Sequence, residues 1–140
     1  MNMDVQYSYL VKNYVAKNKN NINFLGLQTN SDTIKIMKNC DLLLNPSVIE
    51  GGCLVVKEAI DLNLAVLASD IPCHREMLGE NYPGLFLQQN VIELSKKLQK
   101  FILEKETRSL WKKFLLNSPI ALYKLKDEIK LVKEAVNFLK

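Results

Sequence analysis

Two glutamates, Glu50 and Glu58, stand eight positions apart, and Gly51-Gly52 directly follows the first. Along a helix axis that separation is about 12 Å, at about 1.5 Å per residue. An ionised carboxylate only accepts hydrogen bonds, and a vicinal diol offers two donors. Two acids at this reach therefore suit a molecule that carries hydroxyls at both ends. Adjacent glycines leave the main chain unshielded, and where they run into a helix a phosphate can reach backbone N–H groups at its positive end. A phosphorylated sugar donor has all three features. The candidate substrate-binding residues in this stretch are Ser47, Glu50, Gly51, Gly52, Cys53, Leu54 and Glu58.

The elements that must position them follow from the apolar pattern. Asp4 to Lys19 has near-helical apolar spacing, and Ile22 to Leu25 reads as a short strand closed by Gly26. Thr29-Asn30-Ser31-Asp32 is a run of cap formers that opens a helix ending before Asn39. Asp41 to Leu44 and Ala65 to Ala68 are apolar runs too continuous for half-exposed strands. Between them Cys53 to Leu62 is expected to be helical, with Leu54, Val55, Ala59 and Ile60 inward. A short helix through Arg75, Glu76 and Met77 precedes a last strand, Leu85 to Leu87. Helices are expected over Val91–Leu103, Thr107–Leu116 and Ile120–Leu139. Strands alternating with helices predict an α/β fold: a Rossmann-like parallel sheet with helices on both faces, incomplete at its N-terminal side. The 140 residues are read as a single domain in which 91–140 form a helical C-terminal extension. Ligands of such sheets bind beyond the carboxyl ends of the strands, which selects the loops after Leu25, Leu44 and Ala68.

Composition excludes several classes. With 48% hydrophobic and 24% charged residues the chain is neither disordered nor membrane-spanning in type. The N-terminus lacks a basic region followed by an apolar stretch, so a cytoplasmic location is expected. The net charge of +4 comes mainly from lysines scattered over the C-terminal third. Scattered charge of this kind demands no nucleic acid, and leaves open a peripheral contact with an anionic membrane surface. Cys40, Cys53 and Cys73, odd in number and widely spaced, fit reduced thiols better than disulfides or a zinc site. Cys53 at a helix start could be an activated thiol, but no His or Asp stands beside it in sequence, and packing is the expected role. The lone histidine, His74, is more often structural than catalytic at such a place. No metal and no cofactor are expected.

Four blocks in order carry a family resemblance: Phe24-Leu25-Gly26, then Asp41 to Ser47, then Glu50-Gly51-Gly52 with Glu58-Ala59, then Ala65 to Pro72. Together they resemble the C-terminal, nucleotide-sugar-binding domain of family 4 retaining glycosyltransferases of the GT-B type. The E-x7-E signature of that family is matched in spacing by Glu50 and Glu58. The double glycine departs from the commoner Glu-Gly-Phe-Gly and looks closer to a subgroup that includes the selenosugar synthases and the glycosyltransferase 1 domain-containing proteins. The resemblance implies that Glu50 contacts sugar hydroxyls and that the Gly51 to Leu54 backbone lies near the sugar and diphosphate. It further implies that Glu58 binds the ribose, and that Gly26 with Leu27 lines the base pocket. It assigns no side chain here as a catalytic base, because the donor phosphate itself assists the incoming nucleophile.

The family's acceptor domain and its diphosphate-neutralising Arg and Lys have no counterpart in the chain. A leaving diphosphate without an opposing cation lacks a major catalytic term, so poor turnover alone is expected. The partners implied are a nucleotide-sugar and either an acceptor-domain polypeptide or a second copy. The alternative is a non-catalytic or split-subunit module that keeps the fold in a structural or regulatory role.

Overall fold

The structure is a computed structural model that describes residues 3–122, Lys130 and Lys133. Contacts divide the chain into two compact units, Met1–Thr33 and Ile34–Lys140. In the first, α1 (Met3–Lys17) forms where apolar periodicity predicts it, with Val11 and Val15 half-buried and Tyr7, Leu10 and Tyr14 exposed. Ile22 to Leu25 departs from expectation. It joins no ladder, and Phe24 and Leu25 are exposed. An apolar tetrapeptide has the side chains of a strand, but only a paired neighbour makes it one.

The helix α2 (Asn30–Met37) starts at the predicted cap. The Asp32 N–H donates to Thr29 Oγ1 at 3.2 Å, and that hydroxyl donates to the Asp32 carboxylate at 2.7 Å, a variant of the capping box.

The second unit is built on a parallel sheet of order β1-β2-β3 among the described residues: β1 (Leu42–Asn45), β2 (Ala65–Ser69) and β3 (Leu85–Phe86). Between the strands run α3 (Leu54–Asp61) and α4 (Pro72–Leu78), and after them α5 (Val91–Leu103), α6 (Lys105–Leu116) and α7 (Pro119–Leu122). This is the expected α/β class with a helical C-terminal part. The helix expected over Ile120–Leu139 lies, beyond Leu122, outside the described residues apart from Lys130 and Lys133.

All five residues of β2 are buried, as its continuous apolar run predicts. β1 is not: Leu44 is exposed and Leu42 and Leu43 are half-buried. The sequences look alike, but β2 has a strand on each side and β1 is paired only with β2 among the described residues. In α3 the inward face is Val56, Ala59 and Ile60, while Leu54, expected inward, is exposed at the first position. That helix stops at Asn63 in the left-handed region, φ 50°, where the Leu64 N–H reaches the Ala59 carbonyl and the Asn63 N–H reaches Ile60.

An aromatic cluster seals the sheet: Trp111 lies 5.2 Å from Phe101 and 6.2 Å from Tyr82, ring centre to ring centre. Tyr82 also meets a backbone need. β3 is short and pairs with β2 only from Ala68 onward, and the Val66 N–H donates instead to Tyr82 Oη at 3.1 Å. Burial pushes the Tyr82 hydroxyl far above the usual tyrosine range, so it stays neutral. Gly84 packs so tightly that a Cβ there would stand 2.2 Å from the Val66 carbonyl oxygen.

Tyr82→Phe should leave a buried N–H without its acceptor and cost about 1–3 kcal/mol. Gly84→Ala must displace backbone and should cost a similar amount, about 1–3 kcal/mol or more. Urea unfolding measures both; wild-type stability in either variant would mean that the sheet edge is not held as described.

Candidate functional site

The parallel pairing of β1 with β2 sets Asn45 beside Ala68, so both strands end at one edge of the sheet. From β1 the chain enters the loop 46–53, and from β2 it passes through Asp70 and Ile71 into α4. Asn45, buried, organises the first loop. Its Nδ2 donates to Glu50 Oε1 at 2.8 Å, and its Oδ1 accepts from the Ser47 N–H at 3.2 Å.

Ser47 Oγ lies 2.7 Å from both Glu50 Oε1 and Asn45 Oδ1, and its single proton favours the charged acceptor. These bonds from Ser47 and Asn45 hold the Glu50 carboxyl below its usual value of 4.5, against a smaller opposing effect of burial. Glu50 is therefore an ionised acceptor whose orientation is fixed at one oxygen.

The second loop locks onto the first. Ser69 Oγ donates to the Ser47 carbonyl, and the Gln88 side chain donates to the Val48 carbonyl from further along the chain. His74, fully buried in α4, places Nδ1 2.7 Å from the Ser69 carbonyl. Asp70 is forked by Arg75, with Nη2 at 2.8 Å from Oδ2. That hydrogen bond holds the Asp70 carboxyl below its usual range.

Gly51 and Gly52 are exposed, and an added Cβ at either would meet nothing within 4 Å. The space over that backbone is open. Cys53 follows in the left-handed region, φ 44° and ψ 32°, and no side chain caps the start of α3. The earliest N–H groups of that helix precede its first internal bonds.

The cysteine reading requires correction. Cys53 and Cys73 are joined by a disulfide, with Cα atoms 6.4 Å apart, and Cys40 is the free, exposed one. A sequence separation of 20 hid the relation, because both positions sit at one edge of the sheet only once β1 and β2 pair.

Glu58 lies half-buried on α3, one turn into the helix whose start follows the glycines. On the neighbouring surface Lys57 pairs with Asp61 at 2.7 Å, and Arg75 pairs with Asp70. Gly26 and Leu27 belong to the first unit. Gly26 has φ 67° with open space around it, and Leu27 is exposed.

The model for glycosyl transferases group 1 matches residues 4–114, well over half of the chain. The chain belongs to that family. A stretch of 71 residues is 34% identical to Protein CapJ of Staphylococcus aureus, covering 51% of this chain and 18% of that protein. Another, of 92 residues, is 29% identical to the N,N'-diacetylbacillosaminyl-diphospho-undecaprenol alpha-1,3-N-acetylgalactosaminyltransferase of Campylobacter jejuni, covering 65% and 24%. Glycosyltransferase 1 domain-containing protein 1 of Xenopus tropicalis is 36% identical over 70 residues, covering 49% and 20%. The matched stretches thus span a quarter or less of the length of these three relatives.

In this group 1 glycosyltransferase domain the structure brings Ser47, Glu50 and Cys53 together and adds Asn45, Ser69, Cys73 and His74. Asn45 closes a strand that reads as purely apolar, and an Asn-x-Ser-x-x-Glu run was its only signal. Cys73 and His74 had no local signal beyond their position after β2. Among the described residues no helix is long and apolar enough to cross a membrane.

Glu50 has a depressed pKa in the fold, so its contribution to stability is present above the usual value of 4.5 and is lost as pH falls through the folded value. Glu50→Gln should therefore be less stable than wild type at neutral pH, and the gap should close well below 4.5. Asp70 titrates in both proteins and cancels in the difference. A gap independent of pH, followed by urea unfolding, would contradict this electrostatic role.

Proposed function

We propose that the loop 47–54 and α3 bind the donor of a glycosyl transfer, a nucleoside-diphosphate sugar. Glu50 accepts from hydroxyls of the sugar, the Gly51 to Leu54 backbone faces the diphosphate, and Glu58 accepts from the ribose diol. The observation that carries this reading is the pairing of an oriented, ionised Glu50 with an open stretch of glycine backbone at an uncapped helix start. An acid alone would repel phosphate, and bare backbone alone would not choose a sugar. Adjacent, they suit the two parts of one ligand. Family membership supports the same assignment, as does the transferase named in the Campylobacter jejuni relative.

The transfer proposed retains anomeric configuration and draws its nucleophile assistance from the donor phosphate, with no metal in the step. Residues 1–140 act as the donor-binding half, residues 91–140 being its helical extension, and an acceptor-binding partner supplies the rest of the active centre. The domain alone turns over slowly because no cation in the loop opposes the leaving diphosphate.

Calorimetry with UDP, GDP and their sugars tests the assignment. Glu50→Ala should weaken a nucleotide-sugar about tenfold to a hundredfold, from hydrogen bonds to a charged group worth about 1.5–3 kcal/mol, and should spare the free nucleotide. Equal losses for both ligands would remove the sugar-binding role. Glu58→Ala should weaken both alike, and unchanged affinities would return it to the surface. If saturation-transfer NMR finds no contact with any of these ligands, the domain is an inert scaffold and not a donor site.

A further inference from the structure

His74 is fully buried, yet only one of its ring nitrogens has a partner. Nδ1 lies 2.7 Å from the Ser69 carbonyl oxygen, which can only accept, so Nδ1 carries the proton. In the neutral ring Nε2 then has a lone pair, and it faces Glu50 Oε1 at 3.9 Å. Oε1 already accepts from Asn45 and Ser47, whereas the buried Nε2 has nothing to bond, and a cation placed between them would meet both. The Cys53 sulfur, 2% exposed, completes the group: its Sγ, Nε2 of His74 and a Glu50 oxygen all lie within 4.8 Å of one another. Cys73, bonded to Cys53, carries a second sulfur next to that of Cys53.

The geometry points to a zinc site formed by His74, Glu50, Cys53 and Cys73 when the disulfide is reduced. A four-coordinate zinc with bonds of about 2.0–2.3 Å holds its ligand atoms about 3.3–3.8 Å apart, so shifts of about an ångström close His74, Glu50 and Cys53, and the Cys73 thiolate turns in from beside Cys53 once the bond between them is reduced. The Ser69 carbonyl on Nδ1 is the outer partner that fixes the tautomer and aims Nε2 at the metal. A dithiol reductant delivers two electrons to the Cys53–Cys73 bond and two protons to the sulfurs, and closes to its own disulfide. Zinc then displaces both thiol protons to solvent and takes up the thiolates. The loop 47–53 and the start of α4 are thereby tied together in both redox states, by a covalent bond in one and by the metal in the other. The site shares Glu50 with the donor reading, but its test involves no nucleotide, so the two can fail separately.

The test uses the whole chain, either reduced with a dithiol and desalted without air, or left oxidised. Zinc is titrated against a chromogenic chelator, and cobalt is used as the spectroscopic probe. The reduced protein should take up one equivalent of zinc, on the order of a hundredfold more tightly than the oxidised form, since thiolates are the preferred ligands. Cobalt should give thiolate charge-transfer absorption with the intense visible bands of a tetrahedral site. Zinc should raise the melting temperature of the reduced protein only. His74→Gln and, as a more exposed position that leaves the core intact, Glu50→Gln should each weaken zinc about tenfold or more, and Cys40→Ser should change nothing. Equal affinities in the two redox states, an octahedral cobalt spectrum, or full affinity in both ligand variants would overturn the site.

Discussion

Leu42 to Asn45 run parallel to Ala65 to Ala68, and this one pairing decides where everything else can be. Because the strands point the same way, the loops that leave them emerge at the same edge. The end of β1 and its loop carry Asn45, Ser47, Glu50 and the glycines; the end of β2 and the start of α4 carry Ser69, Asp70, Cys73 and His74. An antiparallel pairing of the same segments would separate them by the length of a strand. β2 holds the register because all five of its residues are buried, and a slip by one would turn its apolar side chains to the wrong neighbours.

The second constraint is polar. Asn45, Ser69 and His74 are buried at the carboxyl edge of a sheet whose interior is otherwise apolar, and buried polar groups need partners. They find them within each connection, Asn45 on Glu50 and Ser47 and His74 on the Ser69 carbonyl, and between the two, Ser69 on the Ser47 carbonyl. The chain of bonds turns two flexible connections into one framework, with the Cys53–Cys73 link beside it. Gly51 and Gly52, which make none of these contacts, are left as the open stretch of the loop. Rigid support next to bare backbone is what a site for a charged, hydroxylated ligand requires.

The helical C-terminal part serves this edge from a distance. Trp111 packs between Phe101 and Tyr82, and Tyr82 takes the Val66 N–H that the short β3 leaves without a strand partner. The start of β2 is thus secured by an aromatic side chain where a longer sheet would use a strand. Position and chemistry are divided between the ends of the same element: its start is held by Tyr82 and its end feeds the site.

By itself the sequence determined the α/β class, the order of elements from Leu42 to Leu116, the helix over Val91–Leu103, the run of cap formers from Thr29 to Asp32 and the acid–glycine–acid segment, because each is written in local spacing and composition. It did not determine that Leu44 and Leu54 would be exposed or that Ile22 to Leu25 would pair with nothing, since burial and pairing belong to neighbours that a local pattern does not contain. The meeting of Cys53 with Cys73, and of His74 with Glu50, was decided only by the tertiary structure. Twenty or more residues separate those partners, and only the closing of the sheet between them brings the groups within bonding or coordinating reach.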